Sequence, residues 1–282
     1  MKPPHPNVSP SDPRLLDELT RLVSQAAGKV MAMDPATIAR KTKSDLSPVT
    51  AADEIANEVI LDGLSRLLPG LPVISEEMAE NWACLDPNAD FVLVDPLDGT
   101  REFLAGRADF TLNVALVRDS QPTLGVIMAP AEATVWRGVV GRGAERLQLH
   151  AGVDVGGASE ATVIQTRSRP AGGLVATVSR SHFDAQTAAF LTRLPIAGRS
   201  ACGSSIKFCR VAQGEADIYP RLAPTHEWDI AAGHAILAAA GGKVTRPDGT
   251  AFVYGRAGEA FLVPAFIAWG DPLAAEEFAQ VL

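Results

Sequence analysis

The chain has 282 residues, 47% of them apolar, and a formal net charge of −8. That is ample to bury one large core or two. The acidic balance, with no basic cluster, excludes a nucleic-acid-binding surface, and no apolar run is long enough to form a membrane span.

Cysteine usage points the same way. Cys84, Cys202 and Cys209 are odd in number and lack metal-ligand spacing, so reduced thiols in a cytoplasmic protein are expected. Residues 1–10 read as a proline-rich disordered tail without the apolar core of a signal peptide. Ser11-Asp12-Pro13 is a helix start signal, and Leu15, Leu16, Leu19, Leu22, Val23, Ala26 and Val30 follow at helical spacing. The polar, basic segment 34–47 reads as a loop or hairpin. Pro48-Val49-Thr50 leads into a second helix with an apolar face of Ile55, Val59, Ile60, Leu64 and Leu67, ending at Pro69-Gly70.

A short strand over 71–75 delivers Ser75-Glu76-Glu77. Phe91-Val92-Leu93-Val94 is a continuous apolar run and reads as a buried strand. It runs into Asp95-Pro96-Leu97-Asp98-Gly99-Thr100, after which a short helix is expected over 101–105. Segments 109–117 and 123–128 form a hairpin across Asp119-Ser120, and 134–140 and 146–150 extend the same sheet. The Gly-rich stretch 151–160 is the expected junction between an N-terminal α+β half, 11–155, and a C-terminal α/β half, 156–282. Beyond it, strands over 163–166, 174–179, 216–219, 243–245, 260–263 and 266–269 alternate with helices over 183–194, 204–213, 228–240 and 272–281. Such alternation predicts a layered α/β domain.

The chemistry concentrates in the central stretch. Asp95 and Asp98 stand three residues apart at a strand end, stiffened by Pro96. Hard cations such as Mg²⁺ take carboxylate and carbonyl oxygens, and a helix opening at Gly99-Thr100 offers N–H groups to an anion. Other carboxylates have sufficient local explanations. Asp53, three residues after Thr50, fits a capping box. Asp229 favours the dipole at a helix start, and Glu76 could be a solvated loop residue. All nevertheless fall at element termini, where active-site groups collect, and five carboxylates together would repel one another unless cations neutralised them.

Ser75-Glu76-Glu77, Asp95-Pro96-Leu97-Asp98-Gly99-Thr100 and Trp228-Asp229-Ile230-Ala231-Ala232 together resemble the signature of the inositol monophosphatase-like, lithium-sensitive metal phosphatases. The resemblance spans about 15–266. Within that family, the stretches 47–53, 178–182, Gly203-Ser204-Ser205-Ile206-Lys207, Tyr219-Pro220-Arg221 and 228–235 look closest to bacterial 3′(2′),5′-bisphosphate nucleotidases of the CysQ type, which act in sulfur metabolism. The resemblance implies an α/β (α+β) fold, a layered α-β-α-β-α sandwich. It implies two to three Mg²⁺ ions: one on Glu76, Asp95 and the Leu97 carbonyl, a second on Asp95, Asp98 and Asp229, and a weaker third at Asp53 and Glu76. Gly99 and Thr100 would hold the scissile phosphate. Ser204, Ser205, Lys207 and Arg221 would meet a second phosphate, with Asp229 also facing substrate, and His182 could touch a base.

The expected activity is hydrolysis of a small phosphorylated substrate, adenosine 3′,5′-bisphosphate (PAP) or its phosphosulfate relative (PAPS). Thr100, oriented by Asp53, would take the proton of the attacking water, with Glu76 also catalytic. The chain is expected as a monomer or homodimer. Leu46, Arg101 and Glu227 depart from the family pattern without removing a ligand. Two residues separate Asp95 and Asp98, so the Asp-x-Asp phosphatase pattern with an aspartyl nucleophile fails. Open alternatives are an inositol-1-phosphate or histidinol-phosphate phosphatase, and a non-catalytic metal- or nucleotide-binding regulator.

Overall fold

The computed structural model describes residues 12–42, 48–78, 89–181 and 183–278. The expected tail, Leu46, Cys84 and His182 lie outside the described residues. Helix α1 (Pro13–Met31) is capped by Asp12, whose carboxylate accepts the Arg14 N–H at 2.9 Å. Strands β1 (Arg40–Thr42) and β2 (Pro48–Thr50) pair antiparallel. Helix α2 (Ala51–Leu67) opens in the expected capping box: Asp53 accepts the Thr50 N–H at 2.8 Å and Thr50 Oγ1 accepts the Ala52 N–H at 3.1 Å.

Seven strands then form one sheet in chain order: β3 (Val73–Ser75), β4 (Phe91–Asp98), β5 (Thr111–Arg118), β6 (Gln121–Ala129), β7 (Thr134–Val139), β8 (Gly143–Gln148) and β9 (Thr162–Ile164). Among the described residues, only the β3–β4 pair of this sheet is parallel, and the short helix α3 (Thr100–Leu104) bridges β4 and β5. Both faces are covered, which explains the unbroken apolar run in β4. Phe91 and Leu93 enter one hydrophobic cluster, while Val92, Val94 and Leu97 enter another on the opposite face. The turn at Asp119-Ser120 has positive φ at both residues, the geometry that matches a two-residue hairpin to strand twist.

The remaining elements are β10 (Leu174–Ser179), α4 (Ala185–Leu191), β11 (Ile196–Cys202), α5 (Ile206–Ala212), β12 (Ile218–Arg221), β13 (Thr225–His226), α6 (Glu227–Ala239), β14 (Lys243–Thr245), β15 (Leu262–Val263), β16 (Phe266–Trp269) and α7 (Pro272–Phe278). Five of these strands make a mixed sheet, ordered β11-β10-β12-β16-β14. Helices α1 and α2 cover one face of the large sheet, α5 and α6 lie between the two sheets, and α4 and α7 cover the outer face of the small one. The layering is therefore α-β-α-β-α. A Cβ on Gly125 of β6 would sit 2.3 Å from the Ala232 carbonyl oxygen, so glycine is what lets α6 lie against the sheet. The central cluster joins Phe91 and Trp136 to Phe208, Trp228 and Phe266, so residues on both sides of 151–160 share one core.

Several boundaries differ from the sequence expectation for local reasons. Asp184 caps α4, accepting the Thr187 N–H at 2.9 Å, so that helix starts later than 183. Ser204 has φ 47, outside helical geometry, and α5 therefore begins at Ile206. Strand β11 has no counterpart in the expected elements. It is a mostly exposed edge strand of small and polar residues, so no apolar period announces it. Among the described residues, no helix is long and apolar enough to cross a membrane.

Candidate active site

The site is built at the end of β4. Asp95 pairs with Asn113 and Asp98 with Thr111, so the register slips across Pro96-Leu97 and two residues stand opposite Leu112. In a regular strand, residues three apart face opposite sides. The bulge re-aims the chain so that both aspartates enter one carboxylate cluster, and it accommodates a proline that cannot donate to the ladder. Gly99 then turns the chain with φ 93, and a Cβ there would meet Phe110 at 3.3 Å. Only glycine takes this turn without strain. Thr100 starts α3 directly beside it.

Carboxylate oxygens of Glu76, Asp95 and Asp229 all lie within 4.8 Å of one another. Glu76 directly follows β3, Asp95 lies within β4 and Asp229 in the first turn of α6, so both halves of the chain contribute. Asp229 is oriented by the His226 N–H at 2.9 Å and by the Thr225 hydroxyl. Asp95 is almost fully buried and accepts the Leu97 N–H at 3.1 Å. Burial, then the charges of Glu76, Asp98, Asp229 and Asp53, push its carboxyl well above the ordinary carboxylate range. Asp98 is raised to about 6, first by burial and then by Asp229, against the lowering influence of Lys207, Ser205 and Arg221. Among the described residues, none of Asp95, Asp98 and Asp229 forms a salt bridge.

Asp53 joins this cluster from α2. Its Oδ1 accepts the Thr100 hydroxyl at 2.8 Å, and its Oδ2 accepts Thr50 Oγ1 at 2.7 Å. The Leu97 carbonyl lies 3.2 Å from the same Thr100 hydroxyl. Burial raises the Asp53 carboxyl, and the Thr50 and Thr100 hydrogen bonds partly offset it.

The C-terminal half supplies the opposing side. Ser205, buried, stands 2.7 Å from Asp98 Oδ2 and 3.0 Å from the Asp229 carbonyl oxygen, and it accepts Asn113 Nδ2 at 2.9 Å. Lys207 is also buried. Its ammonium donates to the Ser204 carbonyl oxygen and, at 3.4 Å, to that of Cys202, and it lies 5.2 Å above the Tyr219 ring. Arg221 donates to the Pro224 carbonyl oxygen at 3.0 Å, and its Nε is buried without a protein partner. Burial works against the Arg221 charge, but Tyr219, Asp229 and Asp98 outweigh it and hold the guanidinium firmly protonated.

Two acids clamp the halves together beside the site: Asp109 accepts from Arg180 and the Gly203 N–H, and Glu102 accepts from Ser181. Neither was legible in the sequence. Asn113 could have been suspected as a polar residue inside an apolar strand. Glu227 turns away from the cluster. It accepts the Gly255 and Arg256 N–H groups at 2.7 and 3.0 Å and pins that loop. His234 is a core residue hydrogen-bonded to Tyr254 at 2.9 Å, and burial lowers its pKa to about 4. His226 stacks on Trp228 at 4.6 Å. Cys202 and Cys209 are free thiols, and burial raises the Cys209 thiol well above its ordinary value.

A five-layer sandwich with a half-buried carboxylate cluster at its strand and helix ends, faced by an arginine, is a fold and site suited to holding cations against an anion. The sequence profile of the inositol monophosphatase family matches residues 14–278. The 3′(2′),5′-bisphosphate nucleotidase CysQ of Escherichia coli K12 is 39% identical over 255 residues, covering 89% of this chain and 98% of that protein. The crystal structure of CysQ from Bacteroides thetaiotaomicron, a bacterial member of the same family, is 33% identical and superposes with a TM-score of 0.74 over 90% of this chain and 96% of its own. An IMPase from Thermotoga maritima, 23% identical with a TM-score of 0.74, covers 95% of this chain and 96% of its own and shares the fold. The chain belongs to the inositol monophosphatase family.

Proposed function

We propose that this protein is a cytoplasmic, Mg²⁺-dependent phosphomonoesterase that hydrolyses adenosine 3′,5′-bisphosphate to AMP and phosphate. The observation that carries the reading is the convergence of Glu76, Asp95 and Asp229 within 4.8 Å, around a buried Asp95. Their donors are all hard oxygens, and the burial and like charges that raise the Asp95 and Asp98 carboxyls are a strain a bound cation would relieve. Two to three ions fit this set, with Asp98, the Leu97 carbonyl and Asp53 completing it. When bound, they neutralise phosphate oxygens, acidify water and stabilise the leaving oxygen.

The chain's own residues then have distinct tasks. Thr100 Oγ1 accepts the proton of the attacking water while passing its own to Asp53 Oδ1, along the hydrogen bond of 2.8 Å. Burial makes Asp53 the readier acceptor. The N–H groups of Gly99 and Thr100 seat the scissile phosphate. A second phosphate is met by Arg221, whose unpartnered Nε supports this assignment, with the Ser204 turn beside it. The 39% identity to the E. coli nucleotidase supports the same substrate. Inhibition by Li⁺ against a KCl control belongs to the same reading.

The test is phosphate release from adenosine 3′,5′-bisphosphate and from inositol 1-phosphate, each with Mg²⁺ and with EDTA. The reading expects the bisphosphate to be the better substrate and EDTA to abolish release. Faster hydrolysis of inositol 1-phosphate overturns the substrate assignment. No release from any phosphomonoester would leave a non-catalytic binding protein.

A further inference from the structure

We propose that Ser205 is a positioning residue for the Asp98 metal ligand, set by Asn113, and makes no contact with substrate. This rests on the metal-phosphatase reading above. Ser205 is 3% exposed and Asn113 1%, so neither hydroxyl nor amide is open to a molecule in the cleft. The Ser205 hydroxyl has one proton and two acceptors in reach, Asp98 Oδ2 at 2.7 Å and the Asp229 carbonyl oxygen at 3.0 Å. The shorter, charge-assisted bond to the carboxylate takes the proton. Asn113 Nδ2 donates to the same oxygen at 2.9 Å and fixes the hydroxyl's orientation.

With Oδ2 held, the plane of the Asp98 carboxylate is set, and Oδ1 is what remains for a cation. Ser205 also stands between two elements that carry like charges. Asp98 ends β4 and Asp229 lies in the first turn of α6. With its one proton given to Asp98, the Ser205 hydroxyl ties the end of β4 to the turn before α5, beside the start of α6. Orienting a ligand through such an outer contact typically alters metal affinity about ten- to a hundredfold.

The surrounding turn is organised around that oxygen. Asp109 holds the Gly203 N–H, the Lys207 ammonium holds the Ser204 and Cys202 carbonyls, and Ser204 takes a left-handed φ of 47. A non-glycine residue held there needs support from its neighbours. The Lys207 charge is thus spent inside the protein, tightening the turn that presents Ser205.

The experiment measures cation binding and turnover separately in Ser205→Ala and Asn113→Ala. Mn²⁺ and Mg²⁺ affinity are read by calorimetry without substrate, and KM and kcat on adenosine 3′,5′-bisphosphate at saturating Mg²⁺. Both variants are expected to bind the cation about tenfold or more weakly, with KM at saturating metal within about twofold of the unmodified protein. The double variant should lose little more than either single one, because both act through one hydroxyl. A raised KM with unchanged cation affinity would make Ser205 a substrate contact and overturn the proposal, as would unchanged affinity in both variants. Should Ser205→Ala fail to fold, Asn113→Ala carries the same readouts. If the unmodified protein itself binds no cation and releases no phosphate, the underlying reading fails. If it does both and the variants match it, this inference alone fails.

Discussion

Asp95 and Asp217 are both buried aspartates, at 1% and 3% exposure, yet their surroundings are opposite. Asp217 accepts Arg167 Nε and Nη2 at 2.7 and 2.8 Å and the Val175 N–H at 2.7 Å, so its charge is compensated by a cation within the fold. Asp95 has one backbone N–H and four carboxylates around it. Burial costs each carboxylate its hydration. Asp217 recovers that in contacts that tie 167 and 175 to 217. Asp95 recovers little from the fold itself, which is the arrangement the proposed cation site would resolve. Burial alone does not separate structural from functional acids. The sign of the neighbouring charge does.

Substituting each acid should expose that difference. The largest effect is expected at Asp95→Asn and Asp98→Asn, which should fold but lose about 3–5 kcal/mol of transition-state stabilisation, roughly a hundred- to several-thousandfold in turnover at millimolar Mg²⁺. Steady-state phosphate release checks this, and near-normal turnover in either variant contradicts it. Without metal, both variants should melt no lower than the unmodified protein, because like-charge repulsion falls.

Arg221→Ala comes next. It should reduce kcat/KM on the bisphosphate by about 1.5–3 kcal/mol, or roughly ten- to a hundredfold, and leave a monophosphate far less affected. Lys207→Ala should instead lower both substrates alike, since its ammonium is engaged with the Ser204 and Cys202 carbonyls. Parallel losses in Arg221→Ala would remove it from the substrate.

Asp217→Asn should behave in the reverse way to Asp95→Asn. The Arg167 side chain is 40% exposed, so the lost pair is cheaper than a fully buried one, and about 1–3 kcal/mol of stability is expected to go. Denaturant melts measure the loss, and the folded fraction should keep its specific activity. A catalytic defect with unchanged stability would break the contrast with Asp95.

The smallest effect is in pH dependence. The folded Asp98 carboxyl titrates at about 6 against an ordinary 3.8, raised by burial and by Asp229. A folded value above the unfolded one means that the protonated form favours the fold. That contribution is complete below about 3.8 and is lost as pH rises through about 6. The melting-temperature advantage of metal-free Asp98→Asn over the unmodified protein should therefore widen between about pH 4 and about pH 7. A constant gap contradicts the assignment.

The sequence was most legible where local chemistry and fold agree. The Thr50–Asp53 capping box, the two-residue turn at Asp119-Ser120 and the strand run at 91–94 each follow from side-chain geometry over a few residues. The carboxylates could be named as a cluster because strand and helix ends gather on one side of an α/β scaffold. What stayed hidden depends on long-range contacts. Asp109 meets Gly203, and Asn113 meets Ser205, across about ninety intervening residues. Ser205 and Lys207 stood out as candidate contacts for a second phosphate near a helix start, but no spacing rule tells that the hydroxyl faces Asp98 and the ammonium faces backbone carbonyls. Glu227 likewise looked like a further acid beside the site until its two loop N–H partners fixed it elsewhere.

The most direct measurement is a Mg²⁺ titration of the metal-free protein by calorimetry, run beside Asp95→Asn and Asp217→Asn. The account predicts saturable binding that raises the melting temperature of the unmodified protein and of Asp217→Asn, and strongly weakened binding in Asp95→Asn. Equal binding by all three, or no binding at millimolar Mg²⁺, would contradict it.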